Sequence, residues 1–211
     1  MPDEAPRGPR GPVPADPHAS LARRAAQGDA GATRALMREV LPAMLRVVRQ
    51  VLGSRHPDAE DVLQEAAFGM VEALAGFREE CTVRHFACRV ALLTALNARR
   101  RFQLRERLTP SASPEQVEEV SGGSPGAQDQ LAARRRAVVL ELLNELPQPQ
   151  AEALAMHCVL GYTVAETAQA TGVPANTVRS RLVSAKALLR GVLAEDAELA
   201  EQLREWSRGA G

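Results

Sequence analysis

VAETAQATGVPANTVRSRLVSAKALLR, residues 164–190, reads as two short helices joined by a tight turn. Ala168, Gly172 and Val178 stand at the spacing of a helix-turn-helix. A small residue lets the helices cross closely, a glycine turns the chain with positive φ, and a branched apolar residue anchors the second helix. Pro174 falls in the first-turn position, where its missing N–H is not needed. From 175 to 190 the second helix carries Arg179, Arg181, Lys186 and Arg190 and no acid. Val178, Leu182, Ala185 and Leu189 recur at core spacing, and Asn176, Arg179, Ser180 and Val183 occupy the opposite face. A cationic helix presented by such a turn is suited to a DNA major groove.

The rest of the chain reads as helical too. Aromatic residues make up 3% of the 211, alternating β-branched runs are scarce, and Ala, Leu, Arg and Glu dominate, so an all-α protein is expected. Formal net charge is zero, but the charges are segregated. Residues 84–107 hold seven arginines against one glutamate, whereas residues 58–80 hold seven acids against one arginine. Such blocks predict an acidic partner surface and basic surfaces for an anion. Three cysteines at irregular spacing make no disulfide framework, which points to a reducing cytoplasm. No run of residues reaches the length of a membrane span, and the proline-rich start lacks the apolar segment of a signal peptide.

Residues 1–17 contain six prolines and are expected to be a disordered tail. A first domain over 18–107 begins with a short helix capped by Ser20 and stopped at Gly28-Asp29. A helix over 30–52 follows, with Leu36, Val40, Met44, Val47 and Val51 on one face and Pro42 as a kink point. The next helix begins at Asp58 or Ala59, crowds its acids into the first turn, and turns Val62, Leu63, Ala66, Met70 and Leu74 inward. A helix over 83–102 places Phe86, Val90, Leu93 and Leu96 on one face and becomes strongly basic towards Arg99-Arg100-Arg101. Residues 108–130, rich in serine, proline and glycine, read as a flexible linker longer than ordinary connections. Helices over 131–146 and 150–160 then lead into the helix-turn-helix, giving a second domain over 131–194 and an acidic C-terminal extension over 195–211. The expected architecture is two small helical domains joined by a tether.

Two motifs in this order resemble the bacterial RNA polymerase sigma factors of the extracytoplasmic-function (ECF) type. DAEDVLQE at 58–65 is similar to the family's DAEDLVQE. Leu146-Pro147, Gly161-Tyr162-Thr163, Glu166-Thr167-Ala168 and TVRSRL at 177–182 are similar to its LP, G-hydrophobic-S, EIA and TVKSRL elements, and Gly28-Asp29 matches further upstream. The resemblance implies that Asp58, Glu60, Asp61, Gln64 and Glu65 dock onto the β′ subunit of core RNA polymerase, in a holoenzyme that also contains β. It implies that the basic helix reads and opens the minus-ten promoter element. Unstacked bases and an exposed anionic strand call for arginines, here Arg84, Arg89, Arg99, Arg100, Arg101 and Arg105, with Asn97 for a base edge. In the last helix Asn176, Arg179 and Ser180 would reach bases of the minus-thirty-five element, and Thr177, Arg181, Lys186 and Arg190 would hold phosphates. An anti-sigma factor is a further partner the resemblance implies. The chain departs from the family at Phe86, where tryptophan is common, at Leu93 and Asn97, where asparagine and aspartate are, and at Gln150, where arginine is.

Enzymatic readings find little support. The four histidines are scattered, and no nucleophile-base signature, phosphate loop or HExxH occurs. Cys81, His85 and Cys88 share a helical face at metal-ligand spacing, but packing beside Phe86 is the preferred reading. No metal or cofactor is expected. A stand-alone helix-turn-helix regulator bound to an operator is the alternative, though it leaves DAEDVLQE without a role and lacks an evident dimerisation heptad.

Overall fold

The computed structural model describes residues 16–54, 56–108, 140 and 142–193. The expected tail up to residue 15, most of the linker with the helix that follows it, and the acidic extension lie outside the described residues.

Helices α1 (Ala19–Ala26), α2 (Ala30–Leu52), α3 (Ala59–Ala73) and α4 (Val83–Leu108) form the first unit. Their ends follow from local chemistry. Asp29 caps α2 by accepting from the N–H groups of Gly31 and Ala32 at 2.8 and 2.9 Å, and these bonds with Arg24 hold its carboxyl below the usual range. Helix α2 runs through Pro42 as one helix and buries the expected Leu36, Val40, Met44, Val47 and Val51. Helix α3 turns Val62, Ala66 and Met70 inward and closes with a 3-10 turn, Leu74–Gly76. The start of α4 is capped from far away in sequence, because Val83 N–H donates to the Asp16 carboxylate at 2.6 Å. Asp16, expected at the end of the tail, is therefore part of the fold.

Helix α4 packs against both α2 and α3. Its deepest residues are Val83, Ala87, Ala91, Leu92, Ala95 and Ala98, and the alanines among them let three helices approach closely. Of the expected stripe Leu96 is buried, whereas Phe86, Val90 and Leu93 are half-buried. Small residues carry the close helix approach, and Leu92 and Leu96 are buried beside them. Helix α4 also runs beyond the expected end, to Leu108.

In the second unit a 3-10 turn, Leu143–Glu145, precedes α5 (Gln148–Cys158), α6 (Val164–Thr171) and α7 (Ala175–Leu193). Thr163 and Glu166 cap α6 reciprocally, and the Thr163 N–H and hydroxyl bonds keep the Glu166 carboxyl below its ordinary value. Gly172 ends α6 at φ +71° in the left-handed region. Helices α5 and α6 both rest on α7, and the second unit also packs on α4. Among the described residues no helix is long and apolar enough to cross a membrane.

Candidate nucleic-acid interface

The helix-turn-helix forms as its sequence requires. Val178, Leu182, Ala185 and Leu189 are buried, and Pro174 sits just before α7 and accepts from the Val178 N–H. Asn176, Arg179, Ser180 and Lys186 are exposed, with Thr177 and Arg181 half-buried beside them. Arg179 Nη1 donates to Asn176 Oδ1 at 2.7 Å, and the Ser180 hydroxyl donates to Thr177 O at 2.9 Å. These bonds order the first turn of the helix, where base-edge contacts concentrate. The backbone of Arg190 lies within α7, and its side chain is outside the described residues. Val183, 67% exposed, completes this face as a large apolar group among polar ones.

On α3, Glu60, Asp61, Gln64 and Glu65 are exposed and Asp58 is half-buried at the helix start. The turn before them is fixed to the far end of α4. His56 stacks on Phe102 with ring centroids 5.0 Å apart and accepts from the Asp58 N–H. Phe68 and Val71 continue the exposed acidic face and are themselves exposed, Phe68 at 64%. Sequence reasoning passed over both. The available signal was that Phe68 falls off the Val62, Ala66, Met70 stripe and so has no core to enter.

The basic residues of α4 are not equivalent. Arg84, Asn97, Arg101 and Arg105 are exposed, and Arg99 is half-buried. Arg89 and Arg100, expected on a nucleic-acid surface, are turned towards the second unit. Arg89 Nε donates to Glu152 Oε1 at 2.5 Å, and Arg100 Nη2 donates to Leu143 O at 3.3 Å. A carboxylate buried as deeply as Glu152 requires a cation, and α4 supplies it. Arg101 bridges to Glu65 through two bonds of 2.7 and 3.2 Å, which raise the guanidinium pKa further. The basic and acidic surfaces thus meet where sequence reasoning kept them apart.

Cys81 and Cys88 are buried, and burial pushes the Cys81 thiol up to about 11 and that of Cys88 upward too. His85 turns away to pack at a tilt against the Tyr162 ring, with centroids 4.7 Å apart. Phe86 packs on Phe77 at 4.9 Å. Among the described residues no group of three His, Cys, Asp or Glu is placed to hold a metal ion.

Comparison with known proteins fits this arrangement. Residues 36–105 match the family described as Sigma-70 region 2, and residues 136–189 match Sigma-70, region 4. The RNA polymerase sigma factor NccH of Alcaligenes xylosoxydans xylosoxydans is 30% identical over 175 residues, covering 82% of this chain and 93% of that one. The ECF RNA polymerase sigma factor ShbA of Streptomyces griseus is 29% identical over 167 residues, covering 76% and 86%. CnrH of Cupriavidus metallidurans is 27% identical over 190 residues, covering 88% and 98%. A solved structure of CnrH with the cytosolic domain of CnrY aligns with 84% of this chain and 97% of that one, at 21% identity and a TM-score of 0.46.

Fold, surfaces and likeness define an all-helical transcription initiation factor. The chain belongs to the sigma-70 family, as an RNA polymerase sigma factor of the ECF type. Its function is to bind core RNA polymerase and direct initiation at promoter DNA.

Proposed function

We propose that three helices divide this function. The exposed acids of α3, Asp58, Glu60, Asp61, Gln64 and Glu65, dock the chain on the β′ subunit, with Phe68 and Val71 as the apolar part of the same contact. Helix α4 acts on the minus-ten element through Arg84, Asn97, Arg99, Arg101 and Arg105, joined by Arg89 and Arg100 once these leave the second unit. Helix α7 reads the minus-thirty-five element with Asn176, Arg179 and Ser180, while Thr177, Arg181, Lys186 and Arg190 grip phosphates. The observation that carries this reading is the pairing of an exposed acidic face on α3 with an acid-free, exposed face on α7 in one chain.

The linker lets the two domains, 18–107 and 131–194, span the spacer between promoter elements. The protein has no catalytic activity of its own and works in the cytoplasm. Family membership brings a partner of the anti-sigma class, able to restrain the two domains. The test is capture of core polymerase from a bacterial lysate, probed for β′, together with promoter-specific transcription by the reconstituted holoenzyme. Reversing Asp61 and Glu65 to arginine should abolish capture while leaving the helical fold intact. Undiminished capture by the reversed chain overturns the assignment of α3.

A further inference from the structure

The turn that starts α3 departs from the usual arrangement. An aspartate at a helix start ordinarily caps it, its carboxylate accepting from backbone N–H groups of the first turn. Asp29 does this for α2, whereas Asp58 makes no such bond for α3. Its backbone, at φ −86° and ψ 10°, lies outside the extended region from which a side chain reaches those groups. His56 supplies the bonds instead. Its Nδ1 accepts from the Asp58 N–H at 3.2 Å, and its carbonyl accepts from the Ala59 N–H at 3.1 Å. Pro57 disfavours helical backbone at His56, which keeps the turn from joining the helix. The imidazole is fixed by Phe102 of α4, with ring centroids 5.0 Å apart and planes 25° from parallel. Beside Phe102, Arg101 holds Glu65, so the end of α4 meets α3 at its start and again further along. The Asp58 side chain is 47% exposed, and its carboxylate lies 4.0 Å from His56 Nδ1, beyond hydrogen-bond reach.

We propose that His56 is a positioning residue for polymerase docking: by bonding the start of α3 in place of Asp58, it leaves the Asp58 carboxylate free to take a cation of the polymerase. The proposal rests on the reading of α3 as the docking helix. A carboxylate bonded to its own helix start offers fewer lone pairs to a guanidinium or ammonium, and the helix dipole already offsets part of its charge. Without the imidazole acceptor the Asp58 N–H loses its partner, and the turn relaxes until the carboxylate caps α3. The stack on Phe102 has a different effect. It buries ring area and contributes stability whether or not the ring carries an acceptor. Acceptor and ring are two separable features of one side chain.

Titration of core RNA polymerase against the fluorescein-labelled full chain, with urea unfolding of the same variants, tests this. His56→Phe keeps a ring on Phe102 and lacks the acceptor, so stability should hold while affinity for the polymerase falls about tenfold, the scale of one charge-assisted hydrogen bond. His56→Asn lacks the ring but keeps an acceptor that reaches the N–H two residues on, so stability should fall while most of the affinity remains. A side chain needed only for folding gives the same order in both measurements. Asp58→Asn should lose affinity as His56→Phe does, and combining the two should cost no more than either alone, because both act on one carboxylate. If affinity follows stability through the series, or the two losses add, the positioning role is overturned. Reversal of Asp61 and Glu65 to arginine separates this from the reading beneath it. Affinity undiminished by that reversal overturns α3 as the docking helix, and the role of His56 with it. Affinity lost on reversal but kept in both His56→Phe and Asp58→Asn overturns the role of His56 alone.

Discussion

Helices α4 and α7 are both long and basic, yet they hold their charge differently. Helix α7 rests on its own unit through a single stripe, Val178, Leu182, Ala185 and Leu189, and everything opposite that stripe is in water. Helix α4 has three environments: an alanine stripe in the first core, a mixed face under the second unit, and a half-exposed edge. A cation on α7 is therefore available to DNA as the chain stands. A cation on α4 is available according to the face it occupies. Charge density along a helix says how strongly an anion is attracted; the number of bodies packed on that helix says whether it is reached.

The largest expected effect comes from the exposed side of this contrast. Arg179→Ala in the holoenzyme should cost about 1–3 kcal/mol, tenfold or more in initiation, and relax selectivity at the base it contacts. Arg101→Ala should weaken binding evenly across sequences and lower the salt slope by about one. Run-off transcription over variant minus-thirty-five elements, with binding across a salt series, separates the two. If both substitutions act evenly on all sequences, α7 is not the reading helix and the contrast collapses.

Next is the turn that presents α7. Gly172 has φ +71°, and a Cβ placed there meets the Glu80 carboxylate end at 3.4 Å. That side chain can shift, so the penalty lies in the backbone. Gly172→Ala should destabilise the second unit by about 1–2 kcal/mol, and Gly172→Asn by less, because asparagine tolerates the left-handed region. Urea unfolding monitored by circular dichroism checks the order. Equal losses for the two substitutions would mean that space rather than conformation is limiting.

The helix-turn-helix was legible because its signals are local, a glycine and a branched residue within a few turns, although Thr167 and Ala170 are buried in its first helix and Ala168 is half-buried. The cores of α2 and α3 were legible for the same reason, each having one buried stripe. Helix α4 was misread at its face. Of Phe86, Val90, Leu93 and Leu96, the bulkier candidates at helical spacing, Leu96 alone is buried, and the helix approaches its neighbours through Ala87, Ala91, Ala95 and Ala98. Bulk marks where space must be filled; small residues mark where backbones come close. The fates of Arg89 and Arg100 were not legible at all. They depend on Glu152 and Leu143, far along the chain, and no periodicity encodes which of two anions an arginine meets. The cap given to α4 by Asp16 is hidden for the same reason.

A smaller effect separates the helices by pH. His85 has its pKa lowered from the ordinary 6.5, first by burial, then by Arg84, while Glu166 and Asp16 oppose the shift. Tyr162 packs at a tilt against its ring, and His85 Nδ1 is buried without a hydrogen-bond partner. The folded chain thus holds fewer protons than the unfolded one below pH 6.5. The contribution of neutral His85 to stability is intact above 6.5 and is lost as pH falls from there through the lower folded-state value. Urea unfolding should show stability falling on acidification, and His85→Phe should flatten the response. No histidine or acid lies in the described part of α7, so binding of its duplex element should change far less over the same range. A wild-type chain that resists urea equally from pH 8 to 5 would remove His85 from the fold's energetics.

The smallest effect concerns an ion pair that joins the acidic surface to the basic one. Arg101 and Glu65 are 53% and 50% exposed, so their ion pair works against water and salt. Exposed pairs typically contribute about 0.2–1 kcal/mol, and Glu65→Gln should shift thermal unfolding by no more than that. Polymerase capture should fall more than stability does, because a docking partner meets Glu65 directly. Arg101→Ala should do the opposite, raising capture slightly by freeing Glu65 while lowering affinity for DNA. Opposite signs in the two assays require that one ion pair link two separate surfaces. Equal signs would mean that α3 and the end of α4 meet a single partner, and that the division between polymerase face and promoter face runs elsewhere on the molecule.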